Sequence, residues 1–435
     1  EPGEYYQHPD GILYYYPRPE EDMTTIEVNV PNSIENFQTF AFNDVPNLTI
    51  KNLNFYFTNI GIGGYNFENF LIQNCEFKHV RTAFSILFVK NSMVDHCLIE
   101  DTARDGCGFD GQNFTLQNSI IRHIGAIAPF GFAVNFWTGC NYTYILNNDI
   151  SDGATSLLFF GANNEYDVET FKRVVIENNH LHHAGYGIVD DLAAMFFGRH
   201  PRGVIINHNK IHDFYTNNYC GNGIYPDTGS SGTKITNNLV YNLSHSAFNL
   251  NYGKEHEVSN NIMAFCRAGF SFGGYRTDSY TLNIHNNIVY LDRDESYPAE
   301  GPLLNPDVVN YFDNNIYYKS GGREITIAGI SFDEWREKGY DANTLIIDPL
   351  FADPEHGDFT FRSKENADKI GFKEFNMSFG VYGDEEWIKL AQNYNYHDPV
   401  VRSKELPIIG FESFENGDDT YFIRRGNIDK NPPCC

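Results

Sequence analysis

The chain has 435 residues, 31 of them basic and 57 acidic, which gives a formal net charge of −26 at pH 7. This charge excludes a nucleic-acid-binding surface and disfavours polyanionic substrates. A single globular core stops growing at roughly 250–300 residues, so the length predicts several domains or an elongated repeat. No apolar run approaches the roughly 20 residues of a membrane span. The chain opens at Glu1 without a leader, which predicts a processed product.

The first predicted segment, residues 1–46, contains the aromatic stretch GILYYYPRPEEDM (11–23). Its extended character predicts a strand pair that precedes the repeats. We expect this pair to precede the first rung rather than to form a complete cap of the solenoid.

Residues 47–320 repeat a short motif in which an Asn or His lies between apolar residues, as in TIKNLNF (49–55). We call this Asn or His the marker residue. A coil of three short strands with an Asn turn predicts an all-β, right-handed parallel β-helix of about 11 rungs. An Asn-rich β-sandwich is the alternative. Asn suits the turn because it tolerates the left-handed backbone region and its amide can bond to the next rung. The markers are Asn52, Asn74, His96, Asn118, Asn147, Asn178, His208, Asn237, Asn260, Asn286 and Asn314.

The spacing of the markers predicts where loops leave the solenoid. The first intervals are 22 residues, whereas most of those between Asn118 and Asn260 are 29 to 31. Extra residues in successive rungs leave as loops and build walls on one face. A groove is therefore expected over residues 118–260.

Two further segments follow the repeats. Residues 321–379 are predicted to close the coil and to contain a short helix in SFDEWREKGYD (331–341), with Ser331 as the cap and Glu334 three residues on. Residues 380–435 are predicted to form an acidic C-terminal extension with a helix near 384–392.

Cysteines, sequons and histidines suggest no cofactor. The eight cysteines form no CxxC and no zinc spacing, and no calcium motif is present, although the acidity leaves Ca²⁺ open. Cys75 and Cys97 lie one rung apart, which fits a disulfide or a stacked thiol pair. His180, His182, His183 and His212, with Asp213, are interpreted as stacked turn residues rather than as a metal site.

Sequons favour secretion to the extracellular space and make five residues glycosylation candidates: Asn47, Asn113, Asn141, Asn242 and Asn376.

Asp191 and Asp227 are the candidate catalytic pair. They are 36 residues apart, about one rung plus a loop. At corresponding positions of neighbouring rungs they would face one groove as the acid and the nucleophile or base of glycoside cleavage. The alternative is that both simply cap turns. Trp137 and Tyr225 are candidates for stacking on a sugar ring or for core packing. Arg199 and Arg276 could clamp a hydroxyl group or pair with surface acids.

Four segments resemble a known family: GYGIVDDLAAMFFGR (185–199), GNGIYPDTGSSG (221–232), SHSAFNLNYGKEHEVSNNIMAF (244–265) and IIDPLFADPEHGDFTF (346–361). Together they resemble the right-handed β-helix glycoside hydrolases of family 141, which are fucosidase- and xylanase-like. The resemblance implies that Asp191, Arg199 and Asp227 belong to the site. It also shows departures, because Thr228 replaces a second acid, and Asn249 and Asn251 replace a His-x-His pair. Asn can hydrogen-bond a sugar hydroxyl but cannot shuttle a proton. The resemblance further implies additional rungs before residues 3–23, which this sequence does not contain, so a separate N-terminal chain or a homo-oligomer is a candidate partner.

These observations lead to three hypotheses. The first is a secreted glycoside hydrolase that acts on a neutral or deoxy-sugar glycan through Asp191 and Asp227. The second is a catalytically inactive descendant that binds glycan with Asn249, Asn251 and their neighbours. The third is a structural or assembly protein.

Overall fold

The computed structural model describes residues 5–7, 13–17, 19, 21, 38–136, 139–161, 173–198, 201–218, 220–274, 280–293, 296–301, 303–304 and 309–396. Within these residues the chain winds as a parallel β-solenoid of about 11 turns, which confirms the predicted fold class. A typical turn adds one strand to a sheet of twelve strands, called sheet 1, and two strands to a second sheet, called sheet 2.

Sheet 1 consists of Asn54–Tyr56, Glu76–Val80, Leu98–Thr102, Ile120–Ile124, Asp149–Gly153, His180–Ala184, Lys210–Phe214, Leu239–Leu243, Ile262–Ala264, Ile288–Leu291, Ile316–Lys319 and Leu345–Ile346. Sheet 2 consists of Gln38–Pro46, Thr49–Lys51, Ile60–Glu68, Leu71–Gln73, Thr82–Asp95, Cys107–Gln117, Val134–Phe136, Asn141–Leu146, Leu158–Gly161, Val174–Glu177, Leu192–Gly198, Ile205–Asn207, Gly221–Pro226, Lys234–Thr236, Ser246–Leu250, His256–Ser259, Ala268–Phe272, Tyr280–His285, Tyr297–Glu300 and Val309–Asp313.

The remaining elements flank the solenoid. Three antiparallel pairs join Tyr5–Gln7 to Leu13–Tyr15, Thr326–Ile327 to Ile330–Ser331, and Phe351–Asp353 to Asp358–Phe361. The α-helices are Phe332–Glu337, Glu365–Lys369 and Glu385–Gln392, and the 3₁₀ turns are Ser320–Gly322 and Pro354–His356. Among the described residues no helix is both long and apolar enough to cross a bilayer.

Apolar side chains from both sheets fill the inside of the solenoid. Phe109, Phe136 and Phe160 lie above one another in successive turns, with ring centroids 5.4 and 4.6 Å apart, and Phe197 continues the row. Aromatic pairs of this kind contribute about 0.5–1.5 kcal/mol each beyond their burial. The row forms because these phenylalanines occupy the same inward-facing position in successive turns.

The marker residues occupy the turn that leads from sheet 2 into sheet 1. All eleven have positive φ, from 45° at Asn118 to 58° at Asn178 and Asn260, as the Asn preference predicts. Some also bond to the neighbouring turn, since Asn260 Nδ2 donates to Asn237 Oδ1 at 2.7 Å.

From Asn74 onward, the residue after each marker belongs to a continuous buried column, which the sequence did not single out. We call it the amide column. From Asn179 onward, each amide in it accepts from both the backbone N–H and the side-chain amide of the turn before. From Ser119 onward the column runs through Asn148, Asn179, Asn209, Asn238, Asn261, Asn287 and Asn315, all fully buried.

Cys75 and Cys97 occupy the first positions of the same column, and both are buried free thiols. The disulfide alternative is therefore wrong, and the stacked thiol pair is the arrangement found. A hydrogen bond from the Cys97 thiol lowers the pKa of Cys75 to about 7, whereas burial raises the pKa of Cys97.

Alkylation of the unfolded, unreduced protein is expected to modify both Cys75 and Cys97, because neither thiol is consumed in a bond. Peptide mapping by mass spectrometry measures this, with a reduced sample as the control. A peptide pair cross-linked through these two cysteines would contradict the structure.

The C-terminal region covers an end and a face of the solenoid. The helix Phe332–Glu337 has the predicted capping box, in which Ser331 and Glu334 bond reciprocally. The predicted helix near 384–392 is confirmed at Glu385–Gln392. Phe359 and Ile370 belong to an apolar cluster that covers the outer side of sheet 1. Residues 397–435 of the predicted extension lie outside the described residues.

Asp341 lies at the C-terminal end of the amide column and is fully buried. It accepts hydrogen bonds from Trp335 Nε1 at 2.8 Å, Tyr317 OH at 3.0 Å and Asn315 Nδ2 at 3.2 Å. Burial raises the pKa of this carboxyl, and the donors oppose that rise. The carboxylate thereby ties the closing helix to the last turns.

Candidate functional site

Asp191 and Asp227 flank neighbouring strands of sheet 2 but at opposite ends. Asp191 directly precedes Leu192–Gly198, and Asp227 directly follows Gly221–Pro226. Leu192 is level with Gly221, so one turn here is 29 residues (221 − 192). The 36 residues between Asp191 and Asp227 are one turn of 29 residues plus 7 more, which is the length of the strand Leu192–Gly198. Asp227 therefore lies one strand length beyond the position that is level with Asp191. The expectation of corresponding positions is wrong for this reason.

The two carboxylates nevertheless interact. Asp191 is exposed in a turn with φ 62°, and Asp227 is half-buried. Partial desolvation raises the pKa of Asp191, and the negative charges of Asp227 and Asp190 raise it further. Asp227 therefore contributes to the electrostatic environment of Asp191 despite the strand offset.

Neighbouring polar groups hold the acids in place. Asp190 accepts hydrogen bonds from the backbone N–H of Asn218 at 3.1 Å and from its side-chain amide. Asp227 Oδ1 accepts from Asn251 Nδ2 at 2.9 Å, and the backbone N–H of Asp227 donates to Phe197. Asp190 therefore acts as a turn residue, whereas Asp227 is oriented by an amide of the next turn.

A polar strip follows Asp227 across successive turns on the outer face of sheet 2. Asn249 alternates with the core residues Phe248 and Leu250, and Ser271 alternates with core phenylalanines, so both point outward. Ser271 Oγ donates to Asn249 Oδ1 at 2.8 Å. We call the set Asn222, Asp227, Ser246, Asn249, Asn251 and Ser271 the outer strip.

The outer strip contains buried polar atoms that have no hydrogen-bond partner among the described residues. They are Nδ2 of Asn222 and of Asn249, Oγ of Ser246 and Oδ1 of Asn251. A buried polar atom left unpaired costs about 1–3 kcal/mol, so such atoms mark a position where a bound molecule or water completes the bonding. Several amide and hydroxyl groups so close together can exchange hydrogen bonds with the hydroxyl groups of a sugar.

Tyr225 lies on the same face and, like Asn222 and Asn249, is fully buried. Its ring stacks on Phe196 with centroids 5.0 Å apart, and Phe159 and Phe132 extend this aromatic row. The row therefore supplies an apolar floor beside the strip. Three other sequence candidates, Trp137, Arg199 and Arg276, lie outside the described residues.

The sequence analysis did not predict three charged or titratable residues near the strip. Arg267 pairs with Glu300 at 3.4 Å, and burial raises the pKa of Glu300. Burial and the Arg267 charge lower the pKa of His245 to about 4, so this imidazole is neutral. Glu300 is level with Ser271, and Ser271 is level with Asn249. Only this lateral register places Glu300 beside the strip, and it cannot be predicted without knowing the exact length of each turn.

The histidines interpreted as turn residues lie instead on strands of sheet 1. His182 and His212 are level with each other on His180–Ala184 and Lys210–Phe214, and their rings stack at 5.2 Å. Within the described part of the chain, two groups could hold a metal ion. One is His180, His182 and His212, and the other is His183, His212 and Asp213.

A cavity of about 460 Å³ lies along the marker turns and is lined in part by Asn178, His208 and Asn376. Asp191 and Asp227 do not line it.

Of the glycosylation candidates, Asn141 is half-buried, and the others are exposed: Asn47, Asn113, Asn242 and Asn376.

Comparison with known proteins agrees with this architecture. The family model described as "Right handed beta helix region" matches residues 39–190. The fold and this match define a right-handed parallel β-helix protein.

One solved structure to which the chain is similar is a mannuronic acid specific polysaccharide family 6 lyase enzyme from human gut microbiota. It is 11% identical, with 82% of this chain and 94% of that chain covered and a TM-score of 0.42. No curated protein matches the sequence. The resemblance to glycoside hydrolase family 141 is not shown by these matches.

Proposed function

We propose that the protein is a secreted carbohydrate-active enzyme of the glycoside hydrolase type, similar to family 141, that cleaves a neutral or deoxy-sugar glycan. The observations that support this proposal are the raised pKa of Asp191, caused first by burial and then by the charge of Asp227, and the unpaired amides of the outer strip around Asp227. The net charge of −26 supports a neutral rather than an anionic substrate.

The environments of the two carboxyls divide the chemical roles between them. Asp191, whose pKa is raised, keeps its proton to higher pH than an ordinary aspartic acid and is the general acid. Asp227, fixed by the Asn251 amide, is the base or nucleophile. The Nδ2 groups of Asn249 and Asn222, which are buried and have no partner among the described residues, are the donors proposed for sugar hydroxyls. Hydrolysis of a panel of aryl fucosides, xylosides and galactosides tests the proposal.

Replacing Asp190 with asparagine is expected to move the alkaline limb of the pH–rate profile to lower pH. The Asp190 charge raises the pKa of Asp191, so its removal lowers that pKa, and the acid loses its proton earlier. Measuring kcat/KM from acidic to neutral pH checks this. An Asp190→Glu variant, which keeps the charge, is the control, and an unmoved alkaline limb in Asp190→Asn would contradict the assignment of Asp191 as the acid.

A further inference from the structure

We propose that His180, His182 and His212 form a transition-metal site of the zinc type on the outer face of sheet 1, separate from the outer strip. The proposal is independent of the glycoside hydrolase activity.

The three imidazoles converge from two paired strands. His180 and His182 lie two residues apart on one strand and therefore share a face, and His212 lies level with His182 on the next strand. Each offers one nitrogen, and these nitrogens all lie within 4.8 Å of one another. The side chains of His180, His182 and His212 are 22%, 3% and 9% exposed, so bulk water reaches them poorly.

Two carboxylates fix how the imidazoles are oriented. Nδ1 of His180 lies 3.0 Å from Asp149 Oδ2, and Nδ1 of His212 lies 2.6 Å from Asp213 Oδ2. A carboxylate accepts hydrogen bonds, so each Nδ1 carries the hydrogen and donates it. Metal-binding histidines characteristically donate their other N–H to a carboxylate in this way.

The orientation leaves two lone pairs facing each other. In neutral imidazoles with hydrogen on Nδ1, both Nε2 atoms are acceptors, and those of His180 and His212 are 2.8 Å apart. Two acceptors at this distance repel, and a cation between them removes the repulsion. A shared proton would use only these two nitrogens, whereas a metal ion also uses the nitrogen of His182.

The donor set suits zinc. Three imidazole nitrogens with a water molecule form a common tetrahedral site, with Zn–N distances of about 2.0–2.1 Å. That geometry places two nitrogens roughly 3.3 Å apart, so His180 and His212 would separate by about half an ångström on binding. Asp149 and Asp213 supply two negative charges to offset the charge of the ion. Tyr396 packs on His183 at 4.1 Å and partly covers the cluster.

Isothermal titration of the full chain with Zn²⁺, after removal of metals by a chelator, tests the proposal. We expect about one tightly bound equivalent per chain and at least a tenfold loss of affinity in His180→Asn and in His212→Ala. His285→Ala, which removes a partly exposed histidine of sheet 2, is the matched control and should bind as the unaltered protein does.

Asp213→Asn provides a milder test if either histidine variant fails to fold, because it keeps all three imidazoles and should weaken binding about 10- to 100-fold. Loading the unaltered protein with Co²⁺ should also produce the intense visible absorption of a tetrahedral site. Substoichiometric Zn²⁺ binding, equal affinity in the histidine variants, or a weak octahedral Co²⁺ spectrum would overturn the proposal.

Discussion

Replacing Asn238 with alanine is expected to lower the free energy of unfolding by about 3–5 kcal/mol. Its Oδ1 accepts from Asn209 N at 2.9 Å and from Asn209 Nδ2 at 3.0 Å. Its Nδ2 donates to the carbonyl groups of Ile206 and Thr236, and to Asn261 Oδ1 at 2.9 Å. Alanine leaves these buried partners unpaired at about 1–3 kcal/mol each, less what an entering water molecule recovers.

Urea unfolding followed by circular dichroism measures this effect, and midpoints are compared because long repeat arrays depart from two-state behaviour. Asn237→Gly is the matched control one residue away. Glycine keeps the left-handed backbone at φ 57°, and the change removes mainly the bonds of Asn237 to Asn207 and Asn260. We expect a loss of about 1 kcal/mol in the control. Equal midpoints in the two variants would contradict the importance of the amide column.

Replacing Asp191 or Asp227 with asparagine is expected to lower kcat/KM on a cleavable glycoside by at least about 100-fold, because a lost proton-transfer group costs about 10²–10⁴. Asparagine has nearly the same shape but neither donates the acid proton nor acts as the base. The variants should fold normally, since Asp191 is exposed and the amide oxygen that replaces the Asp227 carboxylate could still accept from Asn251.

Asp44→Asn is the control for this pair, because it neutralises an exposed carboxylate in the first turn of the solenoid. Initial rates and circular dichroism are measured on all three variants. If Asp191→Asn or Asp227→Asn retained full turnover, that aspartate would have no role in the mechanism. Glycan affinity without turnover in the unaltered protein would instead support the catalytically inactive, glycan-binding hypothesis.

The fold was predictable because a solenoid repeats the same physical problem in every turn. Each marker must adopt positive φ in a short turn, so Asn and His recur there and reveal the period. The amide column was less visible, because its position accepts any small residue that can be buried, and it begins with Cys75, Cys97 and Ser119 before the asparagines start. A position that changes residue type along the chain gives no periodic signal.

The candidate site was harder to predict because it depends on lateral register. The distance along the chain from Asp191 to Asp227 combines one turn with one strand, and the sequence does not separate the two contributions. The outer strip is assembled from turns of unequal length, so its members share no fixed spacing. His182 and His212 show the same limitation, since their spacing in the sequence predicted turn residues, whereas the register places them level with each other on neighbouring strands.

The amide column also gives the solenoid an electrical direction. From Asn148 to Asn287 each side-chain amide donates one N–H to Oδ1 of the amide in the next turn, so these amide groups are linked head to tail toward the C-terminus, as peptide groups are in an α-helix. The positive end of this array meets the carboxyl group of Asp341. A chain cut before Asp341 would therefore expose the core and also leave a row of aligned dipoles without its counter-charge.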